Sequence, residues 1–430
     1  MRVATPFLLL ALLAPLSGCD LFGGESTSLF DPDRVSRPDP VVNEVVTTGP
    51  VVLAGIDEIT IRGANFPSSA DSVFVYFEGE SGEVPETGVI LSVNPAEIRL
   101  RVPNMPTADR LRVSTIGAEN YSTAVPITLA RAFVPFGDLD PRSGSLEGPS
   151  AVAGDGSGEV LVSISAGGSS GGVVRFTPDG VREPFMDPRN VWTDMALGGS
   201  MGDQVYATQN VQAIFTLPDA RPVQPVLPNF RIRLAALTPD SDGRIWAAGS
   251  AGSASNPVTP QLHRFNLDGS VVSTDFPDTN VADLLVFGGD LYVAATRTSP
   301  AAEAKVWRLP ILADGTLGAE QVVYDVAADQ PGLRPSALAF AADGTLLVGI
   351  APPTSDPRLP VEFPVIVVAP SGASSPLYPG VLPSPVSAMA WGAGSELYLV
   401  QSSIPPPEGE EGDPTPAALY RVETRLQGAP

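Results

Sequence analysis

The chain has 430 residues and carries 48 acidic against 25 basic side chains, a net charge of −23, with only 17% of its residues charged. So acidic a surface excludes nucleic acid as a partner and excludes adsorption to anionic lipid, because both need a Lys/Arg face. Gly 42, Pro 46 and no long stretch of helical periodicity predict an all-β chain, and the length predicts two folded units.

The first element is a targeting segment. Met1 and Arg2 give a positive start, Pro6 to Leu16 an apolar run too short to span a bilayer, and Ser17 and Gly18 a small-residue cleavage region. Cys19 follows, the only cysteine of the chain. Alone it closes no intramolecular disulfide and holds no structural zinc. Leu16-Ser17-Gly18-Cys19 resembles the bacterial lipobox. That resemblance implies removal of residues 1–18 and acylation of Cys19 as the first residue of the mature chain. The expected partner is therefore the lipid bilayer, held through acylated Cys19, and the expected location is the cell envelope, at the outer membrane. Asp20 behind the cysteine leaves the choice of membrane open. Residues 19–40, rich in Gly, Ser, Asp and Pro, read as a tether, roughly 25 Å long as a coil and about 70 Å when extended.

Residues 41–130 form the first folded unit. Alternating segments at Val41–Val46, Ile56–Arg62, Ser72–Glu78, Gly88–Val93, Glu97–Val102, Arg110–Thr115 and Ala124–Leu129 are separated by Gly, Pro, Asn and Ser clusters. That spacing predicts a small β-sandwich. The run ITIRGANFPSSADSVFVYFEG, with Gly63, Asn65 and Phe66, resembles the IPT/TIG module, an immunoglobulin-like fold, and Ile98–Pro103 resembles its strand ending in Val-Pro. The resemblance implies a spacer or binding module with no catalytic residues. Gly63 is expected to let its strand bend and Phe66 to plug the core.

Residues 131–430 repeat. Six segments share a small residue, alternating hydrophobics, a Gly turn and a β-rich run: from Pro149, Thr193, Leu234, Ala282, Pro335 and Val386. Their spacing of about forty to fifty residues is that of a four-stranded propeller blade. The pattern resembles the NHL and gluconolactonase-like families, which implies a six-bladed β-propeller. Ala132–Asp138 reads as an outer strand that arrives before the first inner one, so it is expected to complete the last blade and close the ring. The turns at Gly180, Gly243, Gly269 and Gly344 are tight. The alternate connections, 252–260, 298–304, 352–363 and 404–416, are long, so one face is minimal and the other elaborated.

The lactonase resemblance implies a divalent metal in the central channel. Glu147-Gly148-Pro149 resembles the start that supplies the glutamate there, and Asp194 and Asp283 fall on matching inner positions, so Glu147, Asp194 and Asp283 are the candidate ligands for calcium. The resemblance stops at Pro335-Ser336-Ala337 and Ser387, since serine hydroxyls are poor ligands for a hard cation. His263, the only histidine, is expected on a third strand as a packed or surface residue, and Asp240 and Asp242 as turn residues. With no second histidine and no other cysteine, transition-metal sites and His-based triads are excluded. The expected function is a monomeric, non-enzymatic binding or scaffolding module for an envelope protein or glycan, without a cofactor. The alternative is a calcium-dependent propeller hydrolase or lyase.

Overall fold

The computed structural model describes residues 35–429 apart from 50, 80–83, 106, 140–146, 166–170, 187–189, 199–203, 224–225, 229–230, 252–260, 300–301, 407–408 and 410–411. Cys19, the signal segment and most of the tether lie outside the described residues. No described helix is long and apolar enough to cross a membrane.

The first unit is two sheets sharing one core. One sheet runs in the order Val41–Val46, Glu58–Ala64, Glu97–Arg101, Val89–Asn94. The other runs Val52–Ala54, Val125–Arg131, Thr107–Thr115, Val73–Glu78, Glu86–Thr87. Alternation decides the faces: Val73, Val75 and Phe77 are buried, whereas Phe74, Tyr76 and Glu78 turn away from the core. Ile59, Ile61, Ile98 and Leu100 of the first sheet meet Val75, Phe77, Leu111 and Val113 of the second, and Phe66 packs among them. Phe66 thus takes its expected place, but Gly63 acts differently. A Cβ there would stand 1.9 Å from the Val41 carbonyl oxygen and 2.6 Å from the Phe66 ring. Gly63 is required by close approach, and the bulge lies in the facing strand, between Val42 and Glu44. Two short strands escaped the alternation pattern, Val52–Ala54 and Glu86–Thr87, and the first pairs in parallel with Leu129–Arg131.

Beyond residue 131 the described strands form six antiparallel groups of four. We number these sheets I to VI by their innermost strands: Gly148–Gly154, Asp194–Gly198, Ile232–Pro239, Thr279–Phe287, Arg334–Phe340 and Val386–Trp391. In sheet I the order from inside outward follows the chain, through Val160–Ser165 and Gly171–Phe176 to Arg182–Met186. Sheets III and IV are joined at one pairing, Ser250 with Asn280. Each inner strand contacts the next, and that of sheet VI contacts that of sheet I, so the sheets form a ring. The outermost strand of sheet VI is Phe133–Pro135, antiparallel to Ala418–Glu423, as its sequence suggested.

Packing explains the repeat. Neighbouring sheets come closest near the axis, and there the inner strands bury the small side chains Ala151, Ala153, Ala236, Ala337 and Ala339. Larger residues fill the wedge between neighbouring sheets. Val160, Val162 and Phe176 of sheet I pack on Tyr398 and Val400 of sheet VI, with Phe136 between them. Leu161 and Val173 of sheet I pack on Met195 and Val205 of sheet II on the other side. The ring is also fastened to the first unit. Arg425, just past the strand Ala418–Glu423, donates to Thr48 Oγ1 (2.8 Å) and the Val51 carbonyl (3.3 Å), and forms an ion pair with the buried Asp57.

Closure can be tested at the seam between sheets I and VI. A Cβ on Gly154 would stand 1.8 Å from the Trp391 carbonyl oxygen, so Gly154→Ala must force the two inner strands apart. We expect a loss of about 1–3 kcal/mol in denaturant unfolding. Gly148→Ala, on the same strand with its nearest neighbour at 3.7 Å, should leave the midpoint almost unchanged.

Candidate functional site

Apart from the single pairing of Asn280 with Ser250, the innermost strand of each sheet pairs with one strand of the ring's sheets, so a row of its main-chain N–H and C=O groups faces the axis. Five of these strands carry a bulge near their start, between Pro149/Ala151, Leu234/Ala236, Val281/Asp283, Pro335/Ala337 and Val386/Ala388. The residue after the bulge opposes the second strand at a shared register: Ala151 with Ser163, Ala236 with Ala248, Asp283 with Ala294, Ala337 with Gly349 and Ala388 with Val400. In sheet II the corresponding pair is Asp194 with Thr208. Asp194 and Asp283 are therefore equivalent residues, two sheets apart, where the other sheets have alanine.

The two aspartates make the same bonds. Asp194 Oδ1 accepts from its own strand, at Met195 N (2.8 Å), and Oδ2 accepts from Leu237 N of sheet III (2.7 Å). Asp283 Oδ1 accepts from Leu284 N (2.7 Å), and Oδ2 from Leu338 N of sheet V (2.6 Å). Each carboxylate thus clips its inner strand to the next. Burial in the ring, followed by the charge of Asp283, holds the Asp194 carboxyl well above the usual carboxylate range. Burial likewise pushes Asp283 up to about 7, against the pull of its two backbone N–H donors.

Hydroxyls complete the same task at other seams. Ser150 Oγ donates to the Trp192 carbonyl (3.0 Å), and Ser163 Oγ accepts from Trp192 N (3.0 Å), joining sheets I and II. Thr208 Oγ1 donates to the Leu234 carbonyl (2.7 Å), and Ser336 Oγ to the Val386 carbonyl (2.6 Å). Ser387 instead donates within its own sheet, to the Val400 carbonyl (3.3 Å).

The three-carboxylate calcium set expected from the sequence is not assembled. Glu147 is held by Arg182 on the outermost strand of sheet I, through Nη1 (2.5 Å) and Nη2 (3.0 Å), in place of Asp194 and Asp283. Among the described residues no group of three His, Cys, Asp or Glu side chains could hold a metal ion. Calcium needs six to eight oxygen ligands. The two aspartates that remain fall short of that number, so the residues present do not fit the ion.

His263 lies on the third strand of sheet III, buried, with Nδ1 2.9 Å from Ser273 Oγ, and burial lowers it to about 4. Asp240 closes a turn by accepting from the N–H groups of Asp242 and Arg244, both at 3.0 Å. The long connection 252–260 lies outside the described residues.

One polar set went unread in the sequence. Arg233, Asn280 and Arg334 each stand three residues ahead of the post-bulge position, on the neighbouring inner strands of sheets III, IV and V. Leu234, Val281 and Pro335 beside them are buried, so the polar three take the opposite side of their strands. The signal existed once the six repeats were aligned on their bulges, but the bulges themselves are invisible in the sequence.

A family model described as "Domain of unknown function (DUF5122) beta-propeller" matches residues 241–271, from the tight turn of sheet III to the start of its outermost strand. No curated protein matches the chain. Among solved structures, the chain is similar to a Bacteroides thetaiotaomicron protein provisionally named as a phosphatase, at 12% identity and a TM-score of 0.51, over 93% of this chain and 99% of that one. It is also similar to a luciferin-regenerating enzyme, at 14% identity and a TM-score of 0.50, over 66% of this chain and 93% of that one. The ring is a β-propeller. At such identities the likeness carries the fold and no activity.

The aspartate clips give the propeller a predictable pH response. An aspartate titrates near 3.9 when unfolded and Asp283 near 7 when folded, so between these values the folded state binds more protons. Its contribution therefore makes stability fall as pH rises from about 4 to about 7. His263, lowered in the folded state, works in the opposite direction between about 6.5 and 4. Thermal midpoints of the wild type and Asp283→Asn across this range should separate the two effects. Relative to wild type, the variant should lose Asp283's share of the alkaline-going decline and keep the share of Asp194, which burial also raises, together with the histidine contribution.

Proposed function

We propose that the chain is a membrane-anchored lipoprotein of the cell envelope that acts as a binding or scaffolding module for an envelope protein or glycan. In this reading Cys19 carries the lipid, the two-sheet unit is an immunoglobulin-like IPT/TIG spacer, and the propeller has six blades. The lipobox-like Leu16–Cys19 supports the anchor, the single core between two sheets supports the spacer, and six groups of four strands support the blade number.

The observation that carries the binding role is the inequality of the propeller's two faces. On one face Gly180, Gly243, Gly269 and Gly344 close tight turns at φ of +79°, +79°, +83° and +86°. Each donates its N–H three residues back, to Thr177, Asp240, Asn266 and Ala341. The opposite face carries the long connections. That of sheet V turns at Pro353–Asp356, and its Arg358 donates through Nε to the Pro406 carbonyl in the connection of sheet VI (2.9 Å). The connection of sheet VI is itself closed by Ile404 pairing with Thr415. Elaborate loops braced on a rigid scaffold are the usual seat of recognition.

A second reading rests on Asp194 and Asp283, whose raised proton affinity is common among groups that exchange protons with a substrate. That reading is a hydrolase or lyase independent of the calcium set, and a lactone and glycan-lyase screen distinguishes it. Activity lost in Asp194→Asn and Asp283→Asn would favour the enzyme over the binding module. The anchor is tested by metabolic labelling with clickable palmitate. The wild type should be labelled and membrane-bound, and Cys19→Ser unlabelled and released; a labelled Cys19→Ser protein would refute the assignment.

A further inference from the structure

We propose that Arg233, Asn280 and Arg334 form a carboxylate-binding arc at the start of the inner strands, and that its ligand is a uronic acid residue of an acidic glycan. The proposal deepens the binding reading above and rests on it. Its basis is a contrast among the arginines. Arg62, Arg99, Arg101, Arg110, Arg182, Arg244, Arg297, Arg308, Arg421 and Arg425 all stand within ion-pair distance of a carboxylate. Arg233 and Arg334 do not; Arg37, Arg131, Arg264 and Arg358 also stand in no ion pair among the described residues, but only Arg233 and Arg334 lie on inner strands. Among the described residues, Arg233 donates only to the Asn210 carbonyl (3.4 Å), through Nη1, and Arg334 only to the Pro352 carbonyl (3.1 Å), through Nε.

In a chain with 48 acidic side chains against 25 basic ones, two guanidinium groups left without an acid on nearby strands are a conspicuous reserve of positive charge. Arg334 is part-buried, and burial lowers its proton affinity without any neighbouring carboxylate to restore it. Such a cation gains most from an anion brought by a ligand. Asn280, exposed on the strand between the two arginines, adds an amide that can donate to the same group or to a neighbouring hydroxyl.

The ligand class follows from what lies further along the strand of Asn280 and on the inner strand of sheet II, beside that of Arg233. Three residues on from this register come Asp283 in sheet IV and, in sheet II, Asp194. A doubly charged phosphate would meet their negative charge, whereas a carboxylate carries one charge and matches the planar guanidinium fork. Each aspartate oxygen accepts one backbone N–H and retains a second lone pair, which suits hydroxyl donors. One carboxylate with hydroxyls beside it describes a uronic acid. The face also bears the long connections, with room for a chain of sugars rather than a single small acid.

The test is calorimetric titration of the full chain with trigalacturonate, its fully methyl-esterified form, a neutral oligogalactoside and inorganic phosphate. We expect trigalacturonate to bind and the ester and phosphate to bind at least tenfold more weakly. Arg334→Gln and the exposed Arg233→Gln should each weaken the acid by roughly tenfold or more, as expected for a lost charged hydrogen bond. Arg334→Lys should fall between, keeping the charge and losing the fork. Unchanged thermal midpoints would exclude misfolding, and because Arg233 is exposed its variant tests the proposal even if Arg334→Gln unfolds. Equal binding of acid and ester, or wild-type affinity in Arg233→Gln and Arg334→Gln, would overturn the arc while leaving glycan recognition by the loops intact. Binding of no saccharide at all would overturn the arc and the glycan reading together.

Discussion

Every sheet of the propeller begins with an edge, and the molecule depends on how those edges are satisfied at the axis. A strand paired on one side leaves a row of main-chain donors and acceptors, and burying them unpaired would cost about 1–3 kcal/mol each. The chain meets this with side chains. Asp194 and Asp283 accept from Leu237 and Leu338 of the following sheets, while Ser150, Thr208 and Ser336 supply hydroxyls to the Trp192, Leu234 and Val386 carbonyls. The polar residues of the inner strands are thus first a solution to a hydrogen-bonding problem. Alanine elsewhere at the same register keeps the axis narrow enough for those bonds to reach.

This double duty colours the site. Carboxylates that hold two strands together are positioned by the fold, and the same confinement raises their affinity for protons. A group fixed in this way can meet a ligand only with the lone pairs the scaffold leaves over. Those lone pairs can accept from hydroxyl donors, whereas two carboxylates are too few to hold calcium.

Much of the architecture was legible in the sequence, because alternation and turn glycines are local signals. The six inner strands, the tight turns at Gly180, Gly243, Gly269 and Gly344, and the closing strand Phe133–Pro135 all lie where the repeat placed them. The short strands Val52–Ala54 and Glu86–Thr87 were not, since two or three residues cannot show a period. The site was half legible. Sequence spacing aligned Asp194 with Asp283, and the structure brings their charges within reach of each other. The lactonase resemblance added Glu147 to them, yet Arg182, on the outermost strand of sheet I, takes that carboxylate. No local pattern announces a partner brought in from the far side of a sheet. Arg233, Asn280 and Arg334 were missed for a related reason, because a bulge shifts register by one residue and hides their equivalence.

The grip of Arg425 on Asp57 matters for how the molecule carries load. The first unit continues directly into Phe133–Pro135, the strand that latches onto Ala418–Glu423, and Arg425 leaves that same partner strand to hold the first unit. Covalent chain and ion pair therefore run side by side between the two bodies. Tension applied through the N-terminal unit is shared between the backbone entering the latch and a guanidinium braced on Asp57, Thr48 and Val51. The latch strand is spared a direct peel, and the ring is hung from two points instead of one.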